Sequence, residues 1–460
     1  MKDLRQGSIK NHIVSLAIPT VGGGLAFTLF NLTDTYFVGK LGTQALAAMG
    51  FTFPIILISS AVSMGITTGT MSVLSRAAGR QDKKKMKRIA TDGLFLSIVL
   101  VLFFSILGLS TMDQLFPLLG ADQFTLPLVK DYMSVWYAGI LVVLMPPMSD
   151  SAMRAIGDTM RPFIVMLVCA GLNVILDPIM IFGWFGFPAM GIQGAAVATV
   201  ISRFFGMLTT LYFLGFHHKL IDLSRPKLSQ LMTSWKEILQ IGLPGMGVML
   251  FPQLLRTVLT ALAASVGGAA AVAAIAVGSR IEGFVNIAIQ GIGSSIVPIV
   301  GQNWGAGLYD RVDTVRRLLN RYAIAIGLGS LAVIYVVARP LTSLFTQDPE
   351  VVAYVLIYLR WILIGFVGMN LYNWNGQALN AVGKTMWTLA INAGGTVMVM
   401  MPLLFVGSKI SFTWMLAGLA LGQVLVGFFS IGIGRKQLME AESCNHTEGF
   451  VCCKEGLSEN

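Results

Sequence analysis

The chain has 460 residues, of which 55% are hydrophobic and 12% charged, and its mean hydropathy is +0.75. Soluble domains carry roughly 25% charged residues, so this composition excludes a water-facing globule and reads as an all-α polytopic membrane protein from end to end. The net charge of +10 is then the positive bias of cytoplasmic loops rather than a nucleic-acid surface.

The first ten residues are polar and charged, and no small-residue cleavage site follows the first span, which argues against a signal peptide. That span, about 12–38, carries Asn31-Leu-Thr-Asp34. A charged side chain deep in a membrane helix costs roughly 2.5–3.5 kcal/mol on insertion scales, so it faces a cavity or a partner. Pro19 interrupts the same helix, and the triplet Gly22, Gly23 and Gly24 follows at once. A missing backbone hydrogen bond beside three glycines makes a low-cost hinge. Two readings are open: a moving helix that carries an ion, or a passively satisfied aspartate on a static kink. Gly24, Thr28, Asn31 and Asp34 recur at helical spacing and form a polar stripe.

Further windows of spanning length fall at about 50–76, 90–112, 127–150, 162–183, 191–216, 237–262, 270–300, 317–339, 350–372, 387–408 and 411–433, twelve spans in all. The loop after the second span holds Arg80, Lys83, Lys84, Lys85, Lys87 and Arg88, and loops of the same parity hold Arg154, Arg161, Lys219, Arg225, Lys227, Arg311, Arg316 and Arg317. This places both termini in the cytoplasm. Asp150 lies near the inner end of the fourth span, as a candidate for a cavity wall. In the fifth, Asn173 and Asp177 are four residues apart and share a face, ahead of Pro178. Counting from the span ends puts Asp177 at a depth similar to that of Asp34. The sixth span opens with the small residues Gly194-Ala-Ala-Val-Ala-Thr199, suited to close packing. Asp34, Asn31, Asn173, Asp177 and Thr199 therefore form one candidate cluster. Two buried carboxylates must share a proton, a sodium ion or a cationic ligand.

A duplication is visible. Ala17-Ile-Pro19 matches Gly242-Leu-Pro244, Gly42 matches Gly267, Gly65 matches Gly291, and Arg154-Ala-Ile-Gly157 matches Asn380-Ala-Val-Gly383. Six spans per copy enter the membrane the same way up, which predicts two pseudo-symmetric lobes flanking a central cavity. The expected division is 1–216 for the amino-terminal lobe, 217–235 for a cytoplasmic linker, 236–435 for the carboxy-terminal lobe and 436–460 for a polar tail. The second lobe lacks counterparts of Asp34 and Asp177. It carries Arg256, Arg280, Glu282 and Arg360 instead, with Glu282–Arg360 expected as a structural ion pair and Arg203 expected to be paired likewise in the first lobe. Gly65-x-x-x-Gly69 and Gly418-x-x-x-Gly422 read as close packing inside the chain.

Nothing suggests an enzyme: there is no phosphate-cradling loop followed by Lys-Ser/Thr, and only His12, His217, His218 and His446 are available as imidazoles. Of the four cysteines, Cys169 lies in a span and Cys444, Cys452 and Cys453 in the tail, which offers no disulfide framework. The tail triplet Asn445-His-Thr447 would never meet the glycosylation machinery from inside.

The twelve spans in two parallel lobes, with Ala17-Ile-Pro19 and Asp34 in the first span and Met153-Arg-Ala-Ile-Gly-Asp-Thr-Met-Arg-Pro162 before the fifth, resemble the bacterial multidrug and toxic compound extrusion (MATE) transporters. The resemblance implies export of cationic and amphipathic drugs by antiport with H⁺ or Na⁺. The NorM-type branch uses acids in spans seven and ten. This chain has none in span seven and Arg360 in span ten, so it is more similar to the DinF-type branch. By that resemblance Asp34, Asn173, Asp177 and Thr199 bind the coupling cation, with Asp34 and Asp177 the ligands to any sodium. Asn31, Thr28, Asp34, Asn173 and Asp150 contact the drug. Span one bends at Pro19 when Asp34 is protonated. No cofactor beyond the coupling ion, no nucleic acid and a monomer in the inner membrane are expected. The alternative is a flippase for a lipid-linked precursor within the same wider superfamily, using the intramembrane arginines.

Overall fold

The computed structural model describes residues 2–222, 224 and 227–447. Arg225, the tail from 448 with Cys452 and Cys453, and the side chains of Cys444, Asn445, His446 and Thr447 lie outside the described residues. Every regular element among the described residues is helical. In order they are α1 (Ile9–Gly39), α2 (Thr43–Gly79), α3 (Lys83–Leu118), α4 (Thr125–Ala155), α5 (Met160–Phe182), α6 (Gly191–Tyr212), α7 (Leu228–Val248), α8 (Leu250–Gly293), α9 (Ile296–Gly305), α10 (Tyr309–Ser343), α11 (Pro349–Ala381), α12 (Thr385–Gly394), α13 (Met401–Ser408) and α14 (Phe412–Thr447). π-turns extend α6 at Phe213–His217 and join α12 to α13 at Gly395–Met400.

By length and composition the described residues contain 11 apolar helical stretches able to cross a membrane, the longest being Leu228–Gly305. That stretch turns at Gly268, whose φ of 60° and ψ of −151° no helix contains. It therefore supplies two spans, and the total is the expected twelve. The fold is all-α and multi-pass.

The duplication is written in the backbone. Positive φ recurs at Gly42 and Gly268, at Gln81 and Gly307, and at Gly157 and Gly383, each pair separated by the same 226 residues. The match of Gly42 with Gly267 thus moves by one residue, because the left-handed turn needs a residue without Cβ strain and Gly268 is the one that adopts it.

By contacts the chain divides into two compact units, Met1–Met246 and Gly247–Asn460. Helix α7 begins at Leu228, inside the 217–235 stretch, because Leu231, Trp235 and Ile238 recur at helical spacing. Its first part belongs to the first unit for a steric reason. Gly69 brings α2 against the Ile238 carbonyl and Gly65 brings it against Met246, so the first small-x-x-x-small pair packs within the chain. Lys85 to Glu237 at 2.9 Å and the Trp235 indole donating to the Asp92 carbonyl at 3.0 Å add polar ties. In the second unit Gly418 and Gly422 receive Leu403 and Met400 in the same manner. Helix α14 runs on to Thr447, past Arg435, where the apolar pattern ends. In the first unit, Leu4 is fully buried and the Lys2 amide donates to the Ile156 carbonyl at 3.0 Å, pinning the amino-terminal segment over the α4–α5 turn.

Candidate ion and substrate site in the first unit

Helix α1 buries Ala26, Phe30, Asp34 and Val38 at a spacing of four and exposes Ile18, Leu25, Leu29, Leu32 and Tyr36. Asp34 therefore shares the stripe that packs into the unit, while bare apolar side chains take the opposite, lipid-type face. The helix is unbroken through Pro19, and the hinge elements each have a defined setting. Pro19 is buried, and a Cβ on Gly22 would lie 2.8 Å from the Phe163 ring of α5. Gly23 and Gly24 follow inside the same helix. At the other end of this pair of helices Phe37 meets Phe182 edge-on at 6.1 Å. Helices α1 and α5 are thus held at both ends, with the acids between.

On α5 the Asn173 amide donates to Asp177 Oδ1 at 3.0 Å, and both residues are 0% exposed. Asp34 is 7% exposed and lies within Coulombic range of Asp177. Thr199 is buried on α6, whose first turn reaches α5 so closely that a Cβ on Gly194 would overlap the Met180 backbone. The small residues Ala195, Ala196 and Ala198 complete that contact.

What these groups lack is as informative as what they make. Asp34 Oδ1, Asn173 Oδ1 and Asp177 Oδ2 are buried acceptors without a donor. A buried unsatisfied acceptor costs roughly 1–3 kcal/mol and more when charged. Three in one place offer acceptor oxygens on which a proton or an oxygen-seeking cation can be held. No arginine locks either acid among the described salt bridges.

The remaining named residues sit differently. Thr28 donates to the Gly24 carbonyl at 3.0 Å, and Asn31 is exposed and donates to the Phe27 carbonyl at 2.8 Å. Both spend a donor on their own helix. Asp150 on α4 is partly buried, with Oδ1 unpartnered, and lies within Coulombic range of Arg154 and Arg203.

Two expected ion pairs do not form. Glu282 accepts from the Tyr358 hydroxyl at 2.7 Å and from Asn286 at 3.3 Å. Arg360 is exposed, because positions 358 and 360 of one helix point about 200° apart and only one can face Glu282. Arg203, 8% exposed, has no carboxylate within salt-bridge distance among the described residues. Its guanidinium lies over the Phe30 ring at 4.9 Å and the Phe27 ring at 5.9 Å, and Nη1 reaches the Met166 sulfur at 3.9 Å. A desolvated cation–π contact is worth about 2 kcal/mol, less than the several kcal/mol that burying the ion costs.

One residue escaped the sequence reading. Tyr132 on α4 is fully enclosed and lies within electrostatic range of both Asp34 and Asp177. Its depth, one turn or two from the start of α4 at Thr125, matches that of both acids. The signal was present: a tyrosine near the same end of a span as two carboxylates.

A family model described as MatE matches residues 19–179 and 244–406. The chain belongs to the MatE family. Its two matched copies follow the backbone duplication described above, and its members are transporters rather than enzymes. The MatE chain is 32% identical over 413 residues to the FAD transporter of Shewanella oneidensis, covering 89% of this chain and 91% of that one. It is 28% identical to the probable multidrug resistance protein NorM of Thermotoga maritima, covering 75% and 74%. Among solved structures, the outward-facing conformation of a multidrug resistance MATE family transporter of the MOP superfamily aligns with a TM-score of 0.88 at 26% identity, covering 96% of this chain and 99% of that one.

Proposed function

We propose that this MatE protein is a secondary active exporter of small cationic and amphipathic drugs, coupled to ion entry at Asp34 and Asp177 in the plasma membrane, with both termini cytoplasmic. The observation that carries the reading is the set of three buried, donorless oxygens on Asp34, Asn173 and Asp177. A proton or Na⁺ arriving from outside neutralises Asp34, so that the pair carries one negative charge instead of two and the cost of holding both carboxylates ionised in a low-dielectric interior is removed. The uncharged α1 then packs more tightly, bending where Pro19 and Gly22–Gly24 offer least resistance, and the cargo leaves. Export requires that ion and cargo each favour a different conformation, so their coupling is reciprocal.

A second reading has its own support. The 32% identical relative is named a FAD transporter, and in this second reading the cargo is a flavin dinucleotide rather than a drug. Purified protein in vesicles separates the readings: ethidium and FAD fluxes are followed with a pH gradient and a Na⁺ gradient imposed separately. Gradient-driven ethidium flux that is lost in Asp34→Asn supports the drug exporter. FAD flux without ethidium flux supports the second reading. Lipid flip without either flux would return the flippase, and full flux in Asp34→Asn would remove the coupling site.

A further inference from the structure

The buried guanidinium of Arg203 faces aromatic rings where a carboxylate would be expected. Its Nε is buried without an acceptor, and Asp150 Oδ1 nearby is buried without a donor. The two attract each other at a distance but form no bridge, and Arg154 shares the pull of the same Asp150. Two guanidiniums to one carboxylate leave this cluster of α4 and α6 with a positive surplus. The walls around it are apolar: Phe27 and Phe30 from α1, Met166 and Cys169 from α5. Phe27 is half exposed, so the aromatic wall continues from Arg203 to the surface of the unit.

A cation held among flat apolar rings, with an idle N–H, is built to receive a group that is at once anionic and attached to a planar ring. We propose that Arg203, with Phe27 and Phe30, forms an anion-recognition subsite for cargo that is a planar aromatic acid bearing a carboxylate or phosphate. The subsite rests on the reading of this unit as the cargo-binding one, and it widens the substrate class beyond cations. Asp150 and Arg154 are positioning residues, setting the guanidinium's orientation and the surplus charge. Asp34 and Asp177 sit on other turns and remain the ion site, so cargo charge and coupling charge are read by different side chains.

The test uses the full chain in nanodiscs and two planar probes of opposite charge, fluorescein and ethidium, titrated by fluorescence anisotropy. Arg203→Met should weaken fluorescein by roughly tenfold or more, as loss of one member of a buried charge pair does, while ethidium stays within about twofold. Arg203→Lys, which keeps the charge but loses the planar fork and Nε–H, should bind fluorescein more tightly than Arg203→Met and less tightly than wild type. Unchanged fluorescein binding by Arg203→Met overturns the proposal. Equal loss of both probes by a monodisperse, normally melting variant also overturns it, by making Arg203 a packing residue. Raising phosphatidylglycerol in phosphatidylcholine discs separates sources of the anion: displacement of fluorescein would give the subsite to a lipid headgroup and end the cargo assignment. Should wild-type protein bind fluorescein but not ethidium, the cation-export reading fails and the anion subsite stands; ethidium binding alone sinks only the subsite.

Discussion

The two units share a backbone plan and keep their acids in opposite condition. In the first, Asp34 and Asp177 are enclosed, each with one buried oxygen that has no donor. In the second, Glu282 has a hydroxyl at 2.7 Å and an amide at 3.3 Å. The unpartnered atoms of the second unit include both amide atoms of Asn370 and the Gln423 oxygen, none of which carries a formal charge. Duplication preserved the turns at Gly42/Gly268 and Gly157/Gly383 while the carboxylates diverged. A satisfied acid holds structure, whereas an unsatisfied one is poised to change charge.

The widest gap between the units should appear in transport. Asp177→Asn is expected to lower gradient-driven efflux by roughly tenfold or more, within the range of coupling energies between sites, whereas Glu282→Gln should leave efflux within about twofold. Flux in vesicles at matched protein density measures both. Equal losses would dissolve the distinction between a working and a structural acid.

A smaller effect separates the units sterically. Gly194→Val should destabilise the first unit by about 1–3 kcal/mol, since the new side chain must push α6 off the Met180 backbone. Glu282→Gln should cost only about 1 kcal/mol, a hydrogen bond weakened rather than a helix displaced. Thermal melting in detergent ranks the two, and the reverse order would mean that Glu282 anchors its unit.

The least effect concerns the α4–α5 turn. Asp158 accepts from His218 at 2.9 Å and from Arg161, while Arg161 also reaches His217 and stacks over Phe213. Burial alone would raise the Asp158 carboxyl, but the hydrogen bonds from His218 and Arg161 outweigh it and hold the group down to about 2. A depressed carboxylate contributes stability that is complete above its unfolded value of 3.8 and is lost as pH falls towards about 2. Acid melts of wild type and Asp158→Asn should therefore converge in that window and differ above it. Glycine stands in the neighbouring turn of each unit, but Asp158 is matched by Lys384, so no such acid-dependent step is expected from the second.

Much of this protein was legible in one dimension. Hydrophobic length marked the spans, since a bilayer demands about twenty apolar residues whatever the fold. Asp34, Asn173 and Asp177 stood out because charge in such a span is rare and their distances from the span ends are countable. The recurrence of Pro19 at Pro244 and of Gly157 at Gly383 exposed the duplication. Partnership was not legible. Glu282 looked destined for Arg360 by charge, and only helix rotation turned it towards Tyr358. Arg203 looked paired, and only the approach of α1 placed phenylalanines on it. Helix α7 looked like the start of a second lobe, until Gly65 and Gly69 made room for it in the first unit. Sequence by itself determined which groups enter the membrane and how deep, because insertion is decided segment by segment. Tertiary structure alone decided which neighbour each buried charge meets, because that depends on the rotation and contact of helices far apart in the chain.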